Sequence, residues 1–165
     1  MTKFKYDHLR YNRYFVLKPN IGLLLIFAYY LKDVFMGAIV AASLFKARGG
    51  GAEMGALIAI SSPRMLFSAI PVIALFYALL HRVPDAGPRI RWVWRNGKHL
   101  ILTSALLNSV LILITTTPLD TVAGKLLIGF LVLNVVIVIY VYRSEVVTDV
   151  FAEFPDPPEQ SDKPA

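Results

Sequence analysis

The amino-acid sequence predicts an all-α, polytopic membrane protein with four transmembrane helices and both termini in the cytoplasm. Three observations lead there. Hydrophobic residues make up 56% of the 165-residue chain and charged residues only 17%, against roughly 45–50% and about 25% in an ordinary soluble domain. The apolar excess is gathered into four blocks, about 21–45, 64–80, 100–117 and 122–142, each near the length a helix needs to cross a bilayer. Lysine and arginine also favour one side: Lys3, Lys5, Arg10, Arg13 and Lys18 precede the first block, and Arg82, Arg89, Arg91, Arg95 and Lys98 lie between the second and third. The other side holds Lys46, Arg48, Arg64 and Lys125. The positive-inside rule therefore sets the N-terminus, the central loop and the C-terminus in the cytoplasm. A chain of this length makes one domain and leaves no room for a separate catalytic one.

Residues 1–20 form a basic, aromatic cytoplasmic segment suited to a partner surface or a headgroup-bound helix. It ends in Lys18-Pro19-Asn20, where proline halts regular structure upstream and Asn20 is a fair N-cap. Span one, Ile21–Phe45, is about 37 Å of helix at 1.5 Å per residue, enough to cross with tilt. It exceeds a signal-peptide core of about 7–15 residues and is read as an uncleaved span. Gly49, Gly50 and Gly51 resemble a phosphate loop only superficially, because no Gly-Lys-Ser/Thr follows, and they read as a connector. Residues 54–60, MGALIAI, are too short to cross and are expected to lie at the interface or pack on the bundle. Ser61-Ser62-Pro63 start a helix, and the span that follows contains Pro71, which should kink it. Span three ends at TTTPLD and span four near Tyr142. The remaining residues, 143–165, form an acidic cytoplasmic tail, disordered beyond about 155.

Lys32 and Asp33 stand side by side about 16 Å along span one, deeper than a lysine can fully snorkel. Consecutive helical positions are about 100° apart, so the two charges should turn away from each other and seek partners on other helices. Asn108 and Asn134 lie at similar depth in spans three and four, with Tyr29 and Tyr30 one turn from the pair. The expectation is a midplane polar cluster of Lys32, Asp33, Asn108, Asn134 and one tyrosine, or contact of the charges with a partner subunit. A proton or ion relay is the functional alternative, weakened because spans two to four contain no acids. Gly37, Ala38, Ala41 and Ala42 give span one a small-residue stripe for close helix packing. Arg82, Arg89, Arg91, Arg95 and Lys98, with Trp92 and Trp94, are assigned to lipid headgroups and topology.

No cysteine is present, which excludes disulfides, Fe–S clusters and thiol catalysis. His81 and His99 fall at the ends of spans with no acids or thiols to complete a metal or haem site, and His8 stands apart from both. Ser104 and Ser109 have no histidine at their depth to activate them. The net charge of +6 flanks apolar blocks instead of forming one patch with stacking aromatics, which argues against nucleic acid. No catalytic, cofactor-binding or metal residue is assigned. The expected partners are membrane lipids and other membrane-protein subunits.

Two stretches carry a resemblance. YNRYFVLKPN, residues 11–20, and YRSEVVTDVFAEFPDPP, residues 142–158, flank four spans with a basic central loop. Together they resemble a family of small four-span bacterial inner-membrane proteins classed as a domain of unknown function. Its members begin with a tyrosine–glycine–x–leucine–lysine–proline-like stretch, carry a basic residue in span one to which Lys32 would correspond, and have a tail similar to DVFAEFP. Phe15 stands where glycine is usual, so the turn before Leu17 is expected to differ. The resemblance implies the topology and a bacterial inner membrane, and no activity. The expected role is a non-enzymatic accessory or assembly subunit of a larger membrane complex. A small oligomeric transporter or channel using Lys32 and Asp33 is the alternative.

Overall fold

Six α-helices and one 3-10 turn, His8–Arg10, are formed by residues 5–46, 66–114 and 121–155, which the computed structural model describes. The helices are α1 (Ile21–Lys46), α2 (Leu66–Leu80), α3 (Pro88–Arg95), α4 (Gly97–Leu113), α5 (Val122–Arg143) and α6 (Glu145–Ala152). Among the described residues the only extended pairing is an isolated antiparallel bridge between Tyr11 and Leu17. The all-α expectation holds over these residues.

Two helices contain stretches long and apolar enough to cross a membrane, Ile21–Ile39 in α1 and Gly124–Arg143 in α5. Only 22% of each stretch is buried within the protein, whereas the core helix of a soluble domain would be mostly covered. Outward-facing residues include Leu24, Leu25, Phe35, Val132, Val135 and Ile139, while Asp33, Ser68, Ser104, Asn108 and Asn134 are inside. The outer face of these helices is thus apolar where that of a water-soluble bundle is polar, while the interior remains mostly apolar. The helices α2 and α4 are apolar but have only 15 and 17 residues. Part of the second and third apolar blocks, residues 64–65 and 115–117, lies outside the described residues, as do the triple glycine, 54–60 and the tail beyond 155.

The bundle is ordered α1, α2, α4, α5, with α2 packed against α1 and α4, and α4 against α5. The helix continues on both sides of Pro71. Long side chains, more than backbone approach, close the seam between α1 and α5. Asn20 Nδ2 donates to the Tyr140 hydroxyl at 2.7 Å, and the same tyrosine lies so close over Gly22 that a Cβ there would collide with it.

Two regions hold more structure than the sequence suggested. The basic central loop contains α3, an amphipathic helix with Pro88 at its first turn and Trp94 buried. Its short length and four charged or proline positions hid it from a search for apolar blocks. The tail begins with α6, and Ser144 serves both as the C-cap of α5 and as the N-cap of α6, its hydroxyl accepting from Val147 N at 3.4 Å. That dual cap needs no loop between the helices.

The N-terminal segment folds back on itself instead of forming a headgroup helix. Asn12 Oδ1 accepts from Tyr14 N at 2.9 Å and Val16 N at 3.2 Å, and Lys18 N donates to the Arg10 carbonyl at 2.8 Å. Phe15, at the turn, has φ of 57°, so it occupies the left-handed region that glycine adopts without strain. The turn is thus made with a residue that suits it poorly. Left-handed backbone costs a non-glycine residue about 1–2 kcal/mol, and glycine gives back roughly half of that in unfolded-chain entropy. Phe15→Gly should therefore raise stability by up to about 1 kcal/mol, read as a higher melting temperature in detergent.

Candidate functional site

The main convergence of side chains lies at the end of the bundle where α1 starts, α2 ends and α4 starts. Arg82, two residues past α2, is only 6% exposed. Its Nη1 donates to the Leu17 carbonyl at 2.7 Å, and its Nη2 to the carbonyls of Glu153 at 2.7 Å and Val150 at 3.4 Å. Its guanidinium lies over the Trp94 ring, 4.6 Å from the centroid. Trp94 is itself fully buried, and its Nε1 donates to the carbonyls of Val150 at 2.9 Å and Glu153 at 3.1 Å. A helix leaves its last carbonyls without internal partners; here Arg82 and Trp94 supply them for α6. Glu153 completes the closure, its carboxylate accepting from Leu17 N at 2.5 Å.

One cation therefore ties three segments that are remote in sequence: the N-terminal segment, the end of α2 and the end of α6. Burial pushes the Arg82 guanidinium down to about 10, with the Glu153 carboxylate partly opposing the shift, so it remains charged at neutral pH. Around it, Phe151 packs 5.1 Å from the Trp94 ring and presses on Gly97, where a Cβ would overlap its ring. Arg91 donates to the carbonyls of Pro84 at 2.6 Å and Ala86 at 3.2 Å and lies over Phe154. Lys98 donates to the Thr148 hydroxyl at 2.6 Å.

These contacts correct the headgroup assignment of Arg82 and Trp94. Both face main-chain carbonyls inside the protein, because α3 and α6 fold over them. Arg91 and Lys98 are likewise engaged by protein atoms. Trp92, Arg89 and Arg95 stay exposed.

At the rim, Asp149 accepts from Lys5 Nζ and from the Tyr6 hydroxyl, each at 2.7 Å. These two hydrogen bonds hold its carboxyl below the usual carboxylate range. A folded-state pKa below the unfolded one means the contact stabilises above about pH 4 and fades as the pH falls through the folded value. Acidification below about pH 4 should loosen the N-terminal segment from α6, seen as faster amide exchange around Tyr6. Asp149→Asn should remove that pH dependence. The effect is small, since the pair is largely solvent-screened.

Halfway along the helices, the predicted polar cluster divides in two. Lys32 Nζ lies 3.1 Å from Asp33 Oδ2, which overturns the expectation that the neighbours turn apart. The 100° offset separates their Cα–Cβ bonds, but a four-carbon lysine stem swings back far enough to close the gap. The ammonium also sits over the rings of Tyr29 at 4.4 Å and Phe130 at 4.9 Å. Tyr29 donates to the Phe130 carbonyl at 3.4 Å. The neutral groups make a separate chain across all four bundle helices. Tyr30 donates to Asn134 Oδ1 at 3.1 Å; Asn134 Nδ2 donates to Asn108 Oδ1 at 2.9 Å and Ser109 Oγ at 3.2 Å; Asn108 Nδ2 donates to Ser68 Oγ at 3.2 Å. Ser68 escaped the sequence reading because it lies near the start of the second block, not at its middle.

The small-residue stripe is not an internal seam. A Cβ on Gly37 would meet Leu66 at an ordinary 3.6 Å, and Ala38 and Ala42 are exposed, while the side chain of Ala41 lies outside the described residues. His81 Nδ1 approaches the Tyr77 carbonyl at 3.0 Å and His99 Nδ1 the Tyr142 hydroxyl at 3.5 Å. Among the described residues no group of three or more His, Asp or Glu could hold a metal ion. The chain matches no family model, no curated protein and no solved structure.

Proposed function

We propose that the chain is a four-span bacterial inner-membrane protein, with α1, α2, α4 and α5 as the spans and the Arg82 cap on the cytoplasmic face. Its role in this reading is that of a non-enzymatic accessory or assembly subunit in a larger membrane complex. One observation carries the reading: the polar groups halfway along the helices are spent on each other. Lys32 is neutralised by Asp33, and the asparagines are joined by neutral hydrogen bonds, so they act as interhelical clasps. The four-span topology draws support from α2 and α4 lying alongside the two longer apolar helices, and from all four meeting the same cap. The exposed, smooth stretch of α1 containing Ala38, Ile39 and Ala42 gives a partner helix a place to approach. The resemblance at the two chain ends is consistent with this topology.

Extraction from native membranes in a mild detergent should yield the chain with a second protein in fixed ratio. Recovery of this chain alone would overturn the subunit reading. A clasp also has a signature in stability. Lys32→Met or Asp33→Leu alone should cost on the order of 3 kcal/mol, whereas the double substitution should cost under about 1 kcal/mol, because it leaves no unpaired charge. For a transport site, Asp33→Asn would abolish proton or solute flux in reconstituted vesicles.

A further inference from the structure

Between α2 and α3 lies a cavity of about 430 Å³, lined from α2 by Ile70, Ile73, Ala74 and Tyr77 and from α3 by Arg89 and Ile90. This size is within the usual range of ligand sites, roughly 300–1,000 Å³. The α2 positions follow an i, i+3, i+4, i+7 spacing, so they share one helix face, and Ile70, Ile73 and Tyr77 are exposed along it. The walls are almost wholly apolar, and the one charged residue that borders them is Arg89. Its neighbour Arg91 is spent on the carbonyls of Pro84 and Ala86. Arg89 is exposed and, among the described residues, takes part in no ion pair.

The cavity thus combines an apolar trough beside a span with a free guanidinium at the end of that span. On the proposed topology, α3 lies where the span meets the headgroups, and the exposed Trp92 beside Arg89 suits that level. Guanidinium binds phosphate through paired hydrogen bonds, and headgroup phosphate is the anion abundant at that depth. We propose that this cavity is a binding site for one anionic phospholipid, with the phosphate on Arg89 and an acyl chain against Ile70, Ile73 and Ala74. The proposal rests on the membrane-embedded reading of α2. An apolar partner helix would fill the trough but leave the guanidinium unanswered. A free anion would answer Arg89 but leave the trough empty.

Native mass spectrometry of the full chain in mild detergent with added phosphatidylglycerol tests this. One lipid should be retained. Arg89→Gln should lower the lipid-bound fraction about fivefold, the effect of one well-placed arginine. Ala74→Phe should lower it similarly by filling the trough without altering charge. Arg95→Gln, on the same helix but away from the cavity, should leave retention unchanged. Retention in the Arg89 and Ala74 variants equal to that of the wild type overturns the site, as does an equal loss with Arg95→Gln, which would mean diffuse attraction. Displacement of the lipid by millimolar inorganic phosphate would assign a soluble anion and overturn the lipid. Alkaline carbonate washing of membranes separates the two levels of inference. A wild-type chain released by carbonate sinks the embedded reading and the lipid site together. A chain that stays embedded while its lipid retention ignores both variants sinks the lipid site alone.

Discussion

Replacing Arg82 with methionine should open the cap while leaving the helices of the bundle folded. Methionine preserves much of the apolar stem but removes every donor, so the carbonyls of Leu17 and Glu153 lose their guanidinium partner. A hydrogen bond from a charged donor is worth about 1.5–3 kcal/mol, and a buried acceptor left alone costs a further 1–3 kcal/mol. Against these stands the relief of no longer burying a charge. The net expected loss is about 3 kcal/mol, which raises the population of the detached tail roughly 100-fold. Limited proteolysis between Ser144 and Pro155 should accelerate by that factor, with helix content nearly unchanged. Arg82→Lys should recover little, because one ammonium cannot reach three carbonyls on two segments with the fixed fork of a guanidinium. Cleavage of the Lys variant at the wild-type rate would show that the positive charge alone, not the fork, holds the cap.

Gly97→Ala should also produce a large effect, from the addition of one methyl group. The new Cβ would overlap the Phe151 ring, which is 3% exposed and packed at a tilt against Trp94. Backbone fixes the glycine side, so the phenyl ring must leave its slot. Overpacking of a filled interior costs typically 1–3 kcal/mol, and the upper half of that range is expected here because Trp94 and Gly97 hold the ring from two directions. Gly87→Ala is the control: nothing lies within 4 Å of a Cβ at that position, so stability should change by less than about 0.5 kcal/mol. Phe151→Leu combined with Gly97→Ala should recover part of the loss, a coupling measurable by a double-mutant cycle in thermal melts.

The helical blocks were legible because hydrocarbon-scale apolar runs are a local property of the chain. Asn108 and Asn134 were legible for a similar reason, since polar residues in such runs must find each other. Their connection through Tyr30 and Ser68 required knowledge of which helix faces met. Lys32 and Asp33 stood out in the sequence as charges within an apolar run, but the expectation that they turn apart was wrong. Backbone geometry predicted divergence, and the reach of one flexible side chain reversed it.

The cap was hidden for a different reason. Short helices rich in charge, such as α3, and a short tail helix interrupted by Glu145, Thr148 and Asp149, such as α6, carry no long apolar run. Arg82 looked like any other basic loop residue. Its distinction is burial among Leu17, α3 and α6, segments from the start, middle and end of the sequence, and local sequence carries no sign of that.

Composition and the spacing of apolar blocks by themselves determined the all-α character, the long apolar α1 and α5, and which polar residues interrupt the apolar runs. These follow from hydrophobicity along one strand of sequence. Tertiary structure alone decided that Lys32 pairs with Asp33, that Arg82 and Trp94 turn inward, and that YNRYFVLKPN and DVFAEFP meet each other. Partner choice depends on which segments fold into reach. For Leu17 and Glu153 that distance is 136 residues along the chain, bridged only when the bundle brings the start of α1 and the end of α5 together.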